Sequence, residues 1–305
     1  MMESGLKLRE SCVKHSQEEF YAIGVREIAN DGGIFELLEF GTQNLQLFLP
    51  DQESLKKDLT LIYGIGEVTA GKLRQNGVNS ITDLVADPRW GRAALELVRA
   101  IERRDIVRLG RYGASDLQLL SFFQPEAIKF IDIETTGLYY LHPVFLVGIL
   151  QFTAGEGRIS QFLARSFDEE KAVLQATLSE LMGTEVITSF NGRSFDLPYL
   201  KGRMRFHGLN QETPLLHLDL LRPARQNYRG ILPNCRLLTI EQEVLKQERE
   251  GDIPGAQVAD YYYRYLDTQD RSYLDPILRH NASDLLSMAK FLGVLTARKE
   301  KTILP

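Results

Sequence analysis

The sequence predicts an α/β protein: a mixed sheet flanked by helices, preceded by a small helical region and a β-rich N-terminal segment. Three observations lead there. Apolar runs of strand length recur between residues 127 and 190 with short, turn-rich gaps, and one helical repeat separates the last two. Residues 55–111 change character, with helical spacing broken at a Gly-x-Gly turn. Before them, short apolar stretches flank Asp31-Gly32-Gly33. The 305 residues are enough for two domains and a well-buried core.

Residues 20–23 and 34–38 read as a hairpin, with Gly32 and Gly33 supplying positive φ at the turn. A second β segment is expected over 44–49, closed by Pro50. Residues 1–50 thus form a β-rich segment in which no chemistry is visible. Residues 51–115 form the helical region. Within Leu61-Ile62-Tyr63-Gly64-Ile65-Gly66-Glu67-Val68 the chain reads as helix, tight turn, helix. Gly64 and Gly66 permit a sharp turn and close approach of a ligand. The second helix then opens with free N–H groups, a ready anion site, and Lys72 follows one turn on. The pattern resembles the helix-hairpin-helix module, which grips a nucleic-acid phosphate without reading sequence. Seven arginines between 89 and 111 stand against Glu96, Glu102 and Asp105. A plain turn and a plain solvated face also fit these features.

Residues 112–124 connect to the larger domain, 125–298. Strands are expected over 127–133, 144–152 and 158–163, joined by gaps short enough for an antiparallel meander. A helix over 167–182 and a strand over 186–190 follow. Beyond Asn191 the spacing is mostly helical, over 194–206, 237–246, 256–266 and 272–296.

The chemistry begins in Phe130-Ile131-Asp132-Ile133-Glu134-Thr135-Thr136-Gly137-Leu138. Asp132 and Glu134 are two apart, so both leave one face of a strand. Two carboxylates side by side in an apolar strand repel each other and carry a desolvation cost. A divalent cation held by oxygen ligands relieves both. Asp196 falls in the first turn of a helix that starts at a strand end, where ligands gather in α/β sheets; helix capping is the other reading. His280 and Asp284 are four apart and share a helix face, as a metal ligand with a proton-handling partner or as an ordinary surface pair.

Taken together and in order, Asp132-x-Glu134-Thr135-Thr136-Gly137-Leu138, Asn191-x-x-Ser194-Phe195-Asp196 and His280-x-x-x-Asp284 resemble the four-carboxylate (DEDD) 3′-5′ exonuclease superfamily of ribonuclease H-like fold. Leu216-His217-Leu218-Asp219, Asp252-Ile253-Pro254-Gly255 and His280-Asn281 resemble its bacterial YprB-like branch. The resemblance implies that Asp132, Glu134, Asp196 and Asp284 hold two Mg²⁺ or Mn²⁺ ions, and that His280 positions or deprotonates the attacking water. It also implies that Asn191 seats the terminal nucleotide and that Thr135 lines the site. His280 stands at a spacing where the superfamily usually carries Tyr. The implied activity is hydrolysis of DNA or RNA from 3′ ends, single-stranded or frayed. A structure-specific endonuclease on branched DNA and a non-catalytic nucleic-acid-binding protein are the alternatives.

Net charge −5 argues against coating nucleic acid by global charge, so any nucleic-acid surface is a local patch. Cys12 and Cys235 match neither a disulfide framework nor a zinc site, which suits a reducing compartment. The longest apolar stretch, 144–150, is too short to span a membrane, and no secretory signal opens the chain. The expected location is the cytoplasm.

Overall fold

Strands β3 (Ile128–Thr135), β4 (Val144–Thr153) and β5 (Glu156–Leu163) are buried on both faces over most of their length, as their near-continuous apolar runs require. They form the centre of a seven-stranded sheet in the computed structural model, which describes residues 20–210, 214–249 and 251–301. Cys12 and the first 19 residues of the N-terminal segment lie outside the described residues.

The remaining strands are β1 (Phe20–Asn30), β2 (Gly33–Thr42), β6 (Val186–Ser189) and β7 (Leu216–Asp219), and the order is β1-β2-β5-β4-β3-β6-β7. Neighbours from β1 through β3 are antiparallel, whereas β6 and β7 run parallel to β3. The expected N-terminal hairpin forms and extends this sheet by pairing β2 with β5. Gly33 turns it at φ 127°.

Two expectations change. Residues 44–49 are not a strand. Both edges of β2 are already paired, so the following chain finds no edge beside it and buries Leu45 and Leu47 instead. Conversely, β7 falls in a stretch read as mostly helical, where no strand is expected. It is four residues long, and polar His217 and Asp219 interrupt its apolar pattern.

The upstream region holds α1 (Glu53–Lys56), α2 (Glu67–Gln75), α3 (Gly91–Glu102), α4 (Ile106–Arg111) and α5 (Asp116–Leu119). The sheet is flanked by α6 (Glu170–Leu181), α7 (Asp196–Phe206), α8 (Leu221–Tyr228), α9 (Leu237–Ile240), α10 (Val258–Thr268) and α11 (Leu274–Lys301). Pleating sorts β3 between two cores. Ile128 and Phe130 pack with the upstream helices and with Leu285, Met288 and Leu292 of α11. Ile131 and Ile133 pack with Val173 of α6, Leu200 of α7 and Tyr262 of α10. Burying each such side chain stabilises the fold by about 1.5–3 kcal/mol. Within the tyrosine run of α10, Tyr262 is fully buried and stacks on Phe145 with centroids 3.8 Å apart. Tyr262 is therefore core, not a platform for bases. No helix among the described residues is long and apolar enough to cross a membrane.

Candidate functional site

Along β3, Ile128, Phe130, Asp132 and Glu134 share one face, so the strand passes from core to carboxylates at its C-terminal end. Helix α11 crosses that face. Asn281, fully buried, donates from Nδ2 to Asp132 Oδ2 at 2.7 Å. Gln161 Nε2 of β5 donates to Asn281 Oδ1 at 2.8 Å and to the Leu278 carbonyl at 2.8 Å, which fixes the amide. Gly148 lies opposite Asp132 in the β3–β4 register, and a Cβ there would fall 2.0 Å from Asn281 Oδ1. Glycine at 148 is what lets α11 approach.

Asp196 is the first residue of α7 and is 5 % exposed. Asp196 follows the N-cap residue, Phe195, whose side chain makes no capping hydrogen bond. The turn that delivers it holds Asn191 at φ 67° and brings Gly192 against Ser189, where a Cβ would sit 2.2 Å from Ser189 Oγ. Asp219, at the end of β7, pins this turn. Its carboxylate accepts the N–H groups of Asn191 at 2.8 Å, Arg193 at 3.0 Å and Leu221 at 3.0 Å.

These elements bring Asp132, Glu134, Asp196, His280 and Asp284 into mutual electrostatic range. Burial, reinforced by the charges of Asp284, Glu134 and Asp196, holds the Asp132 carboxyl well above its ordinary range, although the Asn281 hydrogen bond opposes this. Burial likewise pushes Glu134 up to about 8, against the pull of His280 and with the repulsion of Asp284 and Asp196. It pushes Asp196 up to about 7, against backbone hydrogen bonds from its own N–H and from Ile133. Like charges buried together resist ionisation unless a cation joins them.

His280 departs from the near-neutral value its type suggests. Burial alone would lower its pKa, but the Asp252 hydrogen bond and the charges of Asp284 and Glu134 raise it to about 9. Nδ1 lies 2.9 Å and 3.0 Å from the two Asp252 carboxylate oxygens. Nε2 has no partner among the described residues and is the nitrogen available for proton exchange.

Arg249 completes the cluster. Its Nε donates to Glu241 Oε2 at 2.8 Å and its Nη1 to Asp252 Oδ2 at 3.1 Å, while Nη2 donates to both Glu241 and Asp284. With Asp284 drawn into this pair and Asp132 held by Asn281, no three His, Cys, Asp or Glu side chains among the described residues form a ready coordination group. The donor set still suits a hard divalent cation, because four carboxylates converge: Asp132, Glu134 and Asp196, whose burial and mutual repulsion resist ionisation, and Asp284, which is paired with Arg249.

Sequence reasoning missed Arg249, Asp252, Glu241, Asn281 and Asp219 as site-forming residues. The alternation Leu216-His217-Leu218-Asp219 was a legible strand signal ending on a carboxylate. Asp252 opens the motif Asp252-Ile253-Pro254-Gly255, but the motif alone carries no role for it, and no periodicity marks Arg249, which lies in an irregular stretch. Of the remaining expected residues, Thr135 Oγ1 donates to the Gly137 carbonyl at 2.8 Å beside the site, and Asn191 forms the pinned turn. Gly64, at φ 87°, and Gly66, which precedes α2, form an exposed turn of the upstream region, with Lys72 exposed on α2. Arg203 is not available to a phosphate. It is buried and pairs with Glu170, Nε to Oε1 at 2.7 Å.

A family model described as the RNase_H superfamily matches residues 129–296, which carry every one of the clustered carboxylates. The chain belongs to the RNase_H superfamily. Within it, the chain is 27 % identical over 266 residues to "Uncharacterized protein YprB" of Bacillus subtilis (strain 168), the branch that the motif wording resembles. That alignment covers 77 % of this chain and 63 % of the relative, so the chain spans just under two thirds of the relative's length. The fold is also similar to the family B DNA polymerase of the hyperthermophilic archaeon Pyrobaculum calidifontis, with a TM-score of 0.44 and 19 % identity over 56 % of this chain and 24 % of that one.

Proposed function

We propose that this RNase_H-superfamily protein is a divalent-metal-dependent 3′-5′ exonuclease acting on single-stranded or frayed nucleic-acid ends. The observation that carries the reading is the convergence of Asp132 and Glu134 at the C-terminal end of β3, Asp196 at the start of α7 and Asp284 within α11, with His280 beside them. The four carboxylates would hold two Mg²⁺ or Mn²⁺ ions, whose chemistry when bound is Lewis-acid activation of a water and stabilisation of the leaving oxygen. The residues' own parts follow from the geometry. Asn281 orients the Asp132 carboxylate, and Asp252 fixes His280 Nδ1 so that Nε2 faces any proton exchange. Asn191, on the turn pinned by Asp219, would seat the terminal nucleotide beside Asp196.

The test is product analysis on end-labelled and closed substrates. An exonuclease of this polarity converts a 5′-labelled oligonucleotide into a ladder and leaves a closed single-stranded circle untouched. Cleavage of the circle would replace the reading with an endonuclease. The exposed Gly64–Gly66 turn and Lys72 would grip nearby phosphate backbone, with Gly64→Ala and Lys72→Ala weakening binding without abolishing hydrolysis.

A further inference from the structure

A groove of about 380 Å³ opens at the turn that leads into α7 and is lined by Asn191, Arg193, Ser194, Arg222, Arg225 and Arg229, with Asp219 as its single carboxylate. Four arginines against one acid is an unusual local balance in a chain whose net charge is −5. Even that acid is compensated, because three backbone N–H groups converge on Asp219.

Arg222, Arg225 and Arg229 sit at i, i+3 and i+7 at α8 and its C-terminal end, so they share one face. All three are exposed, and none forms an ion pair among the described residues. Arg193 differs from its three neighbours. It is pinned by Asp116 of α5 at 2.8 Å and by the His217 carbonyl at 2.6 Å, which makes it a fixed wall rather than a mobile contact.

We propose that this groove is the track for the polynucleotide strand, with Arg222, Arg225 and Arg229 binding successive phosphates on the far side of Asn191 from the carboxylates. Seven residues of helix span about 10 Å, at a rise of about 1.5 Å each. A stacked strand places about three phosphates in that length, at roughly 3.4 Å per nucleotide. Arginine forks suit phosphate oxygens and carry no preference for base sequence. The inference deepens the nuclease reading and rests on it for the identity of the ligand.

The test is fluorescence anisotropy of labelled 20-residue single-stranded DNA and RNA with the full chain, in chelator, over a salt series. Replacing all three residues (Arg222→Gln, Arg225→Gln, Arg229→Gln) is expected to weaken binding at least tenfold. It should also flatten the dependence of log Kd on log salt by about 2, at roughly 0.7 for each phosphate that is no longer neutralised. The triple Arg→Lys protein should keep the salt slope of the unaltered chain, which separates removal of charge from altered folding. Unchanged affinity and slope in the Gln protein, or no binding by the unaltered chain, would overturn the track. Chelator removes hydrolysis from the readout. A protein that binds through these arginines yet cleaves nothing under any metal leaves the groove standing and the nuclease reading fallen.

Discussion

Replacing Arg249 with Ala removes the one guanidinium that neutralises Glu241, Asp252 and Asp284 together. The side chains of Arg249 and Glu241 are 12 % and 2 % exposed, so solvent cannot take over the role. Burial already holds the Glu241 carboxyl above its ordinary range despite the Arg249 contacts that oppose this. Breaking a buried pair by deleting one partner typically costs about 3–5 kcal/mol, because the other charge is left stranded. In a chain of this size that corresponds to roughly a 10 °C fall in Tm. The assay is urea and thermal denaturation followed by circular dichroism, in chelator. Adding Glu241→Gln removes the most deeply buried stranded charge, and the double variant should recover about half of the loss. A loss below about 1 kcal/mol in Arg249→Ala, or no recovery in the double variant, would refute the view that Arg249 holds this cluster together.

Other consequences are as direct. Glu134 and Asp196 have folded pKa values raised to about 8 and about 7, so the folded state binds protons that the unfolded chain releases near the ordinary carboxylate range. His280, raised to about 9, contributes stability that is complete below its unfolded value near 6.5 and lost as pH rises through 9. All three act in one direction, so Tm in chelator should fall between pH 5 and pH 9, and Mn²⁺ should restore it most at the alkaline end. Asp252→Asn should shift the His280 titration, followed by NMR of its ring protons, toward lower pH by a unit or more. Gly148→Ala drives a methyl group into Asn281 and should destabilise the protein by about 1–3 kcal/mol in urea denaturation, with activity reduced more than stability alone explains.

The legible part of this protein was its strong periodicity and its close-spaced chemistry. The meander of β3, β4 and β5 announced itself because strands buried on both faces are continuously apolar, and the sheet order places them centrally. Asp132 and Glu134 were readable because a strand face repeats every two residues, and His280 and Asp284 because a helix face repeats every four. What could not be read was long-range. Asn281 and Gln161 meet across 120 residues of sequence, and Arg249 reaches Asp284 across 35. Arg249 and Asp252 lie in chain without regular spacing, so no period marks them. The expected strand over 44–49 failed for the converse reason: its residues suit a strand, but the neighbouring edges were already taken.

The central claim is that the carboxylate cluster hydrolyses phosphodiester bonds. The most direct measurement compares the unaltered chain with Asp132→Asn on 5′-labelled single-stranded DNA and RNA, with Mg²⁺, with Mn²⁺ and in chelator. Asp132 Oδ2 accepts from Asn281, and an amide fits the same space, so the variant should fold as before, with circular dichroism as the check. The account predicts stepwise shortening by the unaltered chain in at least one metal, none in chelator, and a loss of at least a hundredfold in Asp132→Asn. Equal degradation by the folded variant, or shortening that persists in chelator, would contradict it.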